Sequence, residues 1–91
     1  MNFCAAAAAA VAEHERDLEY KAFVKRFPER AARIAAVEGA WKTFRDRSCD
    51  LEASEYEGGS MQAQVFGDCM ARETRLHLER LRALRAEWSK H

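Results

Sequence analysis

Cys49 and Cys69 stand equally far from Gly59, the centre of the run Gly58-Gly59-Ser60. That run is the strongest turn signal in the chain. If both arms are helical, each cysteine lies about 15 Å from the turn, so the two sulfurs come level across a helical hairpin. A disulfide is then geometrically natural. Closing this loop stabilises the fold by roughly 3 kcal/mol in the chain-entropy picture. That is a large share for a chain of 91 residues with one modest core. The alternative is two buried free thiols in a cytosolic chain, so the pairing also bears on compartment, because a disulfide implies export. Cys4 and the scattered His14, His77 and His91 show no zinc-site spacing, and no metal or other cofactor is expected.

The N-terminus bears on the same question. Phe3 to Ala12 is an apolar, alanine-rich run that ends at Ala10-Val11-Ala12 and is followed at once by Glu13-His14-Glu15-Arg16-Asp17. It resembles the tail of a signal peptide, and cleavage after Ala12 would remove Cys4 and leave the two pairable cysteines. The run is short and has no basic residue ahead of it, so an alanine-rich first helical turn is the other reading. The domain organisation expected is a segment 1–12 followed by a single helical domain, 13–91.

Three helices are expected. Glu13 to Phe27 carries Leu18, Ala22, Phe23 and Phe27 among charges, with acidic residues in its first turn. Pro28 suits the first turn of the next helix, although Phe27 is a poor N-cap. From Glu29 to about Tyr56, Ile34, Val37, Trp41, Phe44, Ser48 and Leu51 recur in alternating steps of three and four, the clearest helical stripe in the chain. A third helix runs from about Met61 to Trp88, with Ser60 as its N-cap and Val65, Phe66, Met70, Leu78, Leu81, Leu84 and Trp88 as its apolar members. Gly67 inside it either permits a close backbone approach or is tolerated at a cost of roughly 1 kcal/mol. No strand pattern survives. The fold class is all-α, three antiparallel helices with helices 2 and 3 forming a long disulfide-stapled hairpin.

Fifteen basic residues balance fifteen acidic ones, but the signs alternate along the chain: −3 over 1–20, +5 over 21–49, −4 over 50–59 and +2 over 60–91. Adjacent helices of opposite sign attract weakly. Asp50, Glu52, Glu55 and Glu57 lead into the turn and Asp68 follows it, so the closed end of the hairpin presents carboxylates that would draw a cationic partner. Catalysis has no support, since no nucleophile stands beside a base at recognisable spacing and a slim helical domain offers little concavity. Gly58-Gly59 lacks the lysine of a phosphate loop. The basic residues Arg30, Arg33, Lys42, Arg45 and Arg47 lack aromatic interleaving in a neutral chain, so nucleic acid is not expected as a partner. The composition suits no membrane span. Trp41 and Trp88 read as core rather than as binding anchors.

The stretch Ala40-Trp41-Lys42-Thr43-Phe44-Arg45-Asp46-Arg47-Ser48-Cys49, then Gly58-Gly59-Ser60, then Cys69-Met70-Ala71-Arg72-Glu73-Thr74-Arg75, resembles the lysozyme inhibitor LprI N-terminal domain family. Its pattern is a Trp, an aromatic-Arg-Asp, a Cys, a Gly-Gly-Ser turn and a second Cys followed by Thr and Arg. Trp41, Phe44, Arg45, Asp46, Cys49, Gly58, Gly59, Ser60, Cys69, Thr74 and Arg75 fill those positions, over about residues 37–81. Members commonly carry a further cysteine pair near the start of the domain, where this chain has only Cys4.

The resemblance implies an exported, disulfide-bonded bacterial envelope domain whose named member is a lipoprotein that inhibits lysozyme. The shared residues read as scaffold, with Trp41 and Phe44 as core. Arg45 is expected to bond a carboxylate of a neighbouring helix, and Arg45 and Asp46, as consecutive helical residues, to find separate partners. The expected function is a small, non-catalytic, periplasmic or secreted binding module that blocks lysozyme or another cell-wall hydrolase. The acidic tip suits such a target, because lysozymes are commonly basic. Other readings are a non-inhibitory structural or docking domain of the envelope, and an immunity protein against a secreted toxin.

Overall fold

The computed structural model describes residues 2–90. Three helices, α1 (Asn2–Arg26), α2 (Ala31–Ala53) and α3 (Met61–Trp88), form an elongated body of 50 × 21 × 16 Å. Each helix runs antiparallel to the one before it, which leaves α1 and α3 parallel. Ala5 of α1 lies beside Gly67 of α3, Glu19 beside Arg85 and Phe23 beside Trp88. No strand occurs among the described residues.

Breaker chemistry sets the two connections. Pro28 opens a 3₁₀ turn, Pro28–Arg30, that reverses the chain between α1 and α2. Phe27 precedes it and makes no side-chain cap bond. A second 3₁₀ turn, Ser54–Tyr56, ends α2, and Gly58 follows at φ 81°, where a side chain would be strained. The Gly59 amide donates to the Tyr56 carbonyl at 3.0 Å, which closes the turn. Ser60 occupies the N-cap position of α3 with a helical backbone and no capping bond, so its expected capping role is not realised. The sulfurs of Cys49 and Cys69 are bonded across this hairpin, with their Cα atoms 5.5 Å apart, as the equal arms predict.

α1 begins far ahead of the expected Glu13. It runs unbroken through the alanine-rich segment, and Ala5 and Ala12 are buried. Met1 lies outside the described residues. A Cβ built on Gly67 would stand 2.7 Å from the Ala5 Cβ and 3.1 Å from its carbonyl carbon, so Gly67 serves a close approach of α1 to α3. Ala71 and Thr74 continue the buried small face of α3.

The apolar core sits at the Pro28 end. Phe23, Phe27, Ile34 and Leu81 are buried, with Tyr20, Val24, Leu84 and Trp88 packed against them. Phe23, Phe27 and Trp88 meet edge to face with ring centroids 5.2–5.8 Å apart. Several residues expected in the core lie outside it. Leu18 is 55% exposed, Val37 54%, Phe44 64% and Leu51 74%. The buried face of α2 is instead Ile34, Glu38, Arg45, Cys49 and Ala53. The staple explains the difference, because turning Cys49 toward α3 turns every residue one helical turn earlier toward it as well.

Candidate functional site

α2 lies against α1 through side chains that reach across a wide gap. Arg16 of α1 is only 2% exposed, and its Nη1 donates to Glu38 Oε1 of α2 at 2.7 Å. The other Glu38 oxygen, Oε2, accepts from His77 Nε2 of α3 at 2.6 Å. Glu38 thus ties all three helices. One helical turn or two toward the tip the pattern repeats, where Arg45 Nη1 donates to Glu13 Oε1 at 2.7 Å and to Thr74 Oγ1 at 3.3 Å. Arg16 Nη2 also reaches Glu13, at 3.4 Å, and Asp17. The Trp41 ring stacks on His77 with centroids 4.0 Å apart and 9° between planes. The guanidinium of Arg45 lies over the same indole at 4.8 Å and that of Arg16 at 5.5 Å.

This layer is closed on itself. Burial alone would raise the Glu38 carboxyl, but the His77 hydrogen bond and charge, together with those of Arg16, hold it below the usual glutamate range. Burial of Glu13 is likewise outweighed by the Arg45 hydrogen bond and the charges of Arg16 and Arg45, and its carboxyl is also held low. Both acids are therefore ionised at neutral pH and occupied by cations. Arg16 Nε is buried without a partner. The arrangement ties the three helices together.

The motif residues divide between this layer and the surface. Trp41, Arg45 and Thr74 join the layer, Asp46 stands exposed at its edge, and Arg45 bonds Glu13 on a neighbouring helix as expected. Arg45 Nε also donates to Asp46 Oδ1 at 2.9 Å, so the two do pair although they are consecutive on the helix. Phe44 is exposed, and Arg75 is exposed without an ion pair. Glu13, Arg16, Glu38 and His77 escaped the sequence reading, which takes charged residues as solvated. The signal was Cys49: stepping back from it by helical spacing reaches Arg45, Trp41, Glu38 and Ile34 in turn.

At the hairpin tip Asp50, Glu52, Glu55 and Glu57 are all exposed. Glu52 is held by Arg72 at 2.9 Å, and that hydrogen bond raises the arginine further above its ordinary value. Asp50, Glu55 and Glu57 take part in no ion pair. Asp68 accepts from Gln64 at 3.2 Å. Among the described residues no group of acids, histidines or cysteines is arranged to hold a metal, and no helix is long and apolar enough to cross a membrane. Cys4 is an exposed free thiol.

The fold and its charges define a class: a small helical module, stapled by one disulfide, with buried ion pairs between its helices and exposed carboxylates, Asp50, Glu55 and Glu57 among them, at its closed end. The chain matches the family model of lysozyme inhibitor LprI over residues 1–84 and belongs to that family. The match includes the alanine-rich start as well as the hairpin. No curated protein and no solved structure matches the chain.

Proposed function

We propose that this protein is a non-catalytic inhibitor that binds a basic lysozyme or a related cell-wall hydrolase outside the cytoplasm. Membership of the lysozyme inhibitor LprI family carries the reading. The disulfide supports the compartment, periplasmic or secreted. Loss of residues 1–12 on export, which would remove Cys4, belongs to the same proposal. The contact surface is the hairpin tip, where Asp50, Glu55 and Glu57 offer uncompensated carboxylates to a cationic enzyme.

The test is lysis of a peptidoglycan suspension by a basic lysozyme with the oxidised protein added. Inhibition is expected at low salt, weakening as salt screens the tip. Glu52→Lys, Glu55→Lys and Glu57→Lys together should abolish it while the helical circular dichroism is unchanged. Full lysis at saturating protein would sink the inhibitor reading. Inhibition untouched by the triple reversal would remove the tip from it. Intact mass of the exported chain, before and after reduction, tests processing: a mass starting at Glu13 with no free thiol until reduction is expected.

A further inference from the structure

A cavity of about 280 Å³ lies where the three helices meet at the Pro28 end. Phe23 of α1, Ile34 and Val37 of α2, and Leu81, Leu84 and Trp88 of α3 line it. Phe23, Ile34 and Leu81 are buried while Val37 is more than half exposed, so an apolar floor runs out to an open mouth. The volume is close to the lower bound of small-molecule sites, about 300 Å³, and has room for about nine methylene-sized groups of roughly 30 Å³ each. Cations stand at the mouth. Arg30 and Arg33 line the same cavity, and both are exposed. The Arg30 guanidinium lies over the Trp88 ring at 4.4 Å, and neither arginine takes part in an ion pair among the described residues. They flank the start of α2, whose first turn holds no acid, so the positive end of the helix adds to their field. Glu38 also lines the cavity, but its two oxygens are taken by Arg16 and His77.

We propose that this cavity binds a single-chain amphiphilic anion, an aliphatic tail on a carboxylate head. The tail lies against Phe23, Ile34, Leu81 and Leu84 and beside the Trp88 ring, which removes its methylenes from water. The carboxylate sits at the mouth and accepts hydrogen bonds from Arg33 and Arg30. These two are three residues apart, a spacing that puts neighbouring side chains on one helix face, and guanidinium donors match carboxylate oxygens. A wholly apolar occupant would leave both cations unused, and the volume holds one chain of about ten carbons rather than two. The site lies at the opposite end of α2 from the Gly58-Gly59-Ser60 turn, so it stands apart from the lysozyme reading and each can fail without the other.

Calorimetric titration of the oxidised full chain with decanoate, kept below its micelle threshold, tests it. Saturable binding of one decanoate per chain is expected, with a dissociation constant of about 0.1 mM. Decyltrimethylammonium, which has the same tail and the opposite charge, should bind at least tenfold more weakly. Arg33→Glu, at an exposed position, should keep the melting temperature, weaken decanoate at least tenfold and leave the cationic amphiphile no weaker than before. Leu84→Trp, which fills the cavity from its half-buried rim, should abolish binding with the helical circular dichroism unchanged. Should that variant fail to fold, Val37→Trp blocks the same mouth from an exposed position. No saturable heat up to the micelle threshold overturns the proposal. So does binding that Arg33→Glu leaves as it was, or that survives the tryptophan block. Binding to phosphatidylglycerol vesicles without binding to monomeric decanoate also overturns it, and assigns the arginines to a membrane surface instead.

Discussion

Ile34 and Glu38 lie one turn apart on the same buried face of α2, yet the first packs among aromatic rings and the second among charges. At the Pro28 end, α1, α2 and α3 meet through Phe23, Phe27, Ile34, Leu81 and Trp88. A turn further on, the same helices meet through Arg16, Glu38 and His77. The apolar end stabilises in proportion to area removed from water and is indifferent to which ring meets which. The polar layer contributes little net energy, because desolvation of the ions offsets their attraction. It does make other registers costly, since any slip of α2 leaves a buried charge unpaired.

Substitutions should separate the two regions. Phe23→Ala and Glu38→Gln should both destabilise strongly, Phe23→Ala by about 3–5 kcal/mol through the cavity and Glu38→Gln by about 3 kcal/mol through the uncompensated Arg16 charge. They part company when neighbours change too. Replacing the whole set, Arg16→Met with Glu38→Leu and His77→Phe, should cost less than Glu38→Gln alone in urea unfolding. A triple variant less stable than the single one would show that the ion layer is a net source of stability.

Next in size is the response to acid. Glu13 and Glu38 titrate below the usual glutamate range in the folded protein. Their contribution is therefore fully present above the unfolded value, about 4.3, and is lost as pH falls through the lowered folded values. Melting temperature should drop steeply across that window, and Glu38→Gln should flatten the drop. Phe23→Ala should lower the curve without changing its shape.

A smaller effect probes the alanine-rich start. In the full chain Gly67→Ala should destabilise by about 1–2 kcal/mol, because the new methyl meets Ala5 side chain and backbone. In a chain beginning at Glu13 the same change should stabilise by about 1 kcal/mol, since only helix propensity is left to act. Thermal melts of the four proteins read the sign directly. Smallest of all, Glu52→Gln should alter stability by no more than about 0.5 kcal/mol, because its bridge to Arg72 is solvated on both sides.

Helix number, the turn and the crosslink were legible in the sequence because each depends on local chemistry or simple length. Gly58 takes the left-handed conformation its residue type favours, and arms of equal length bring Cys49 to Cys69 whatever the surroundings. Which stripe of α2 faces inward was not legible. Its most regular apolar stripe, Ile34 to Leu51, straddles the boundary between the buried face and the exposed one, so periodicity alone favours a centre rotated away from the true one. The disulfide and the partners available on α1 and α3 decided it. A glutamate and an arginine on a helix are indistinguishable from solvated charges until a second helix supplies Arg16 or Glu13 within reach. The sequence by itself determined three helices, their order and the staple between the last two, because backbone preference and chain length act within a segment. The tertiary structure alone decided that Glu38 and Arg45 lie inside while Phe44 lies outside, because burial of an ion depends on the counter-ion another helix brings to it.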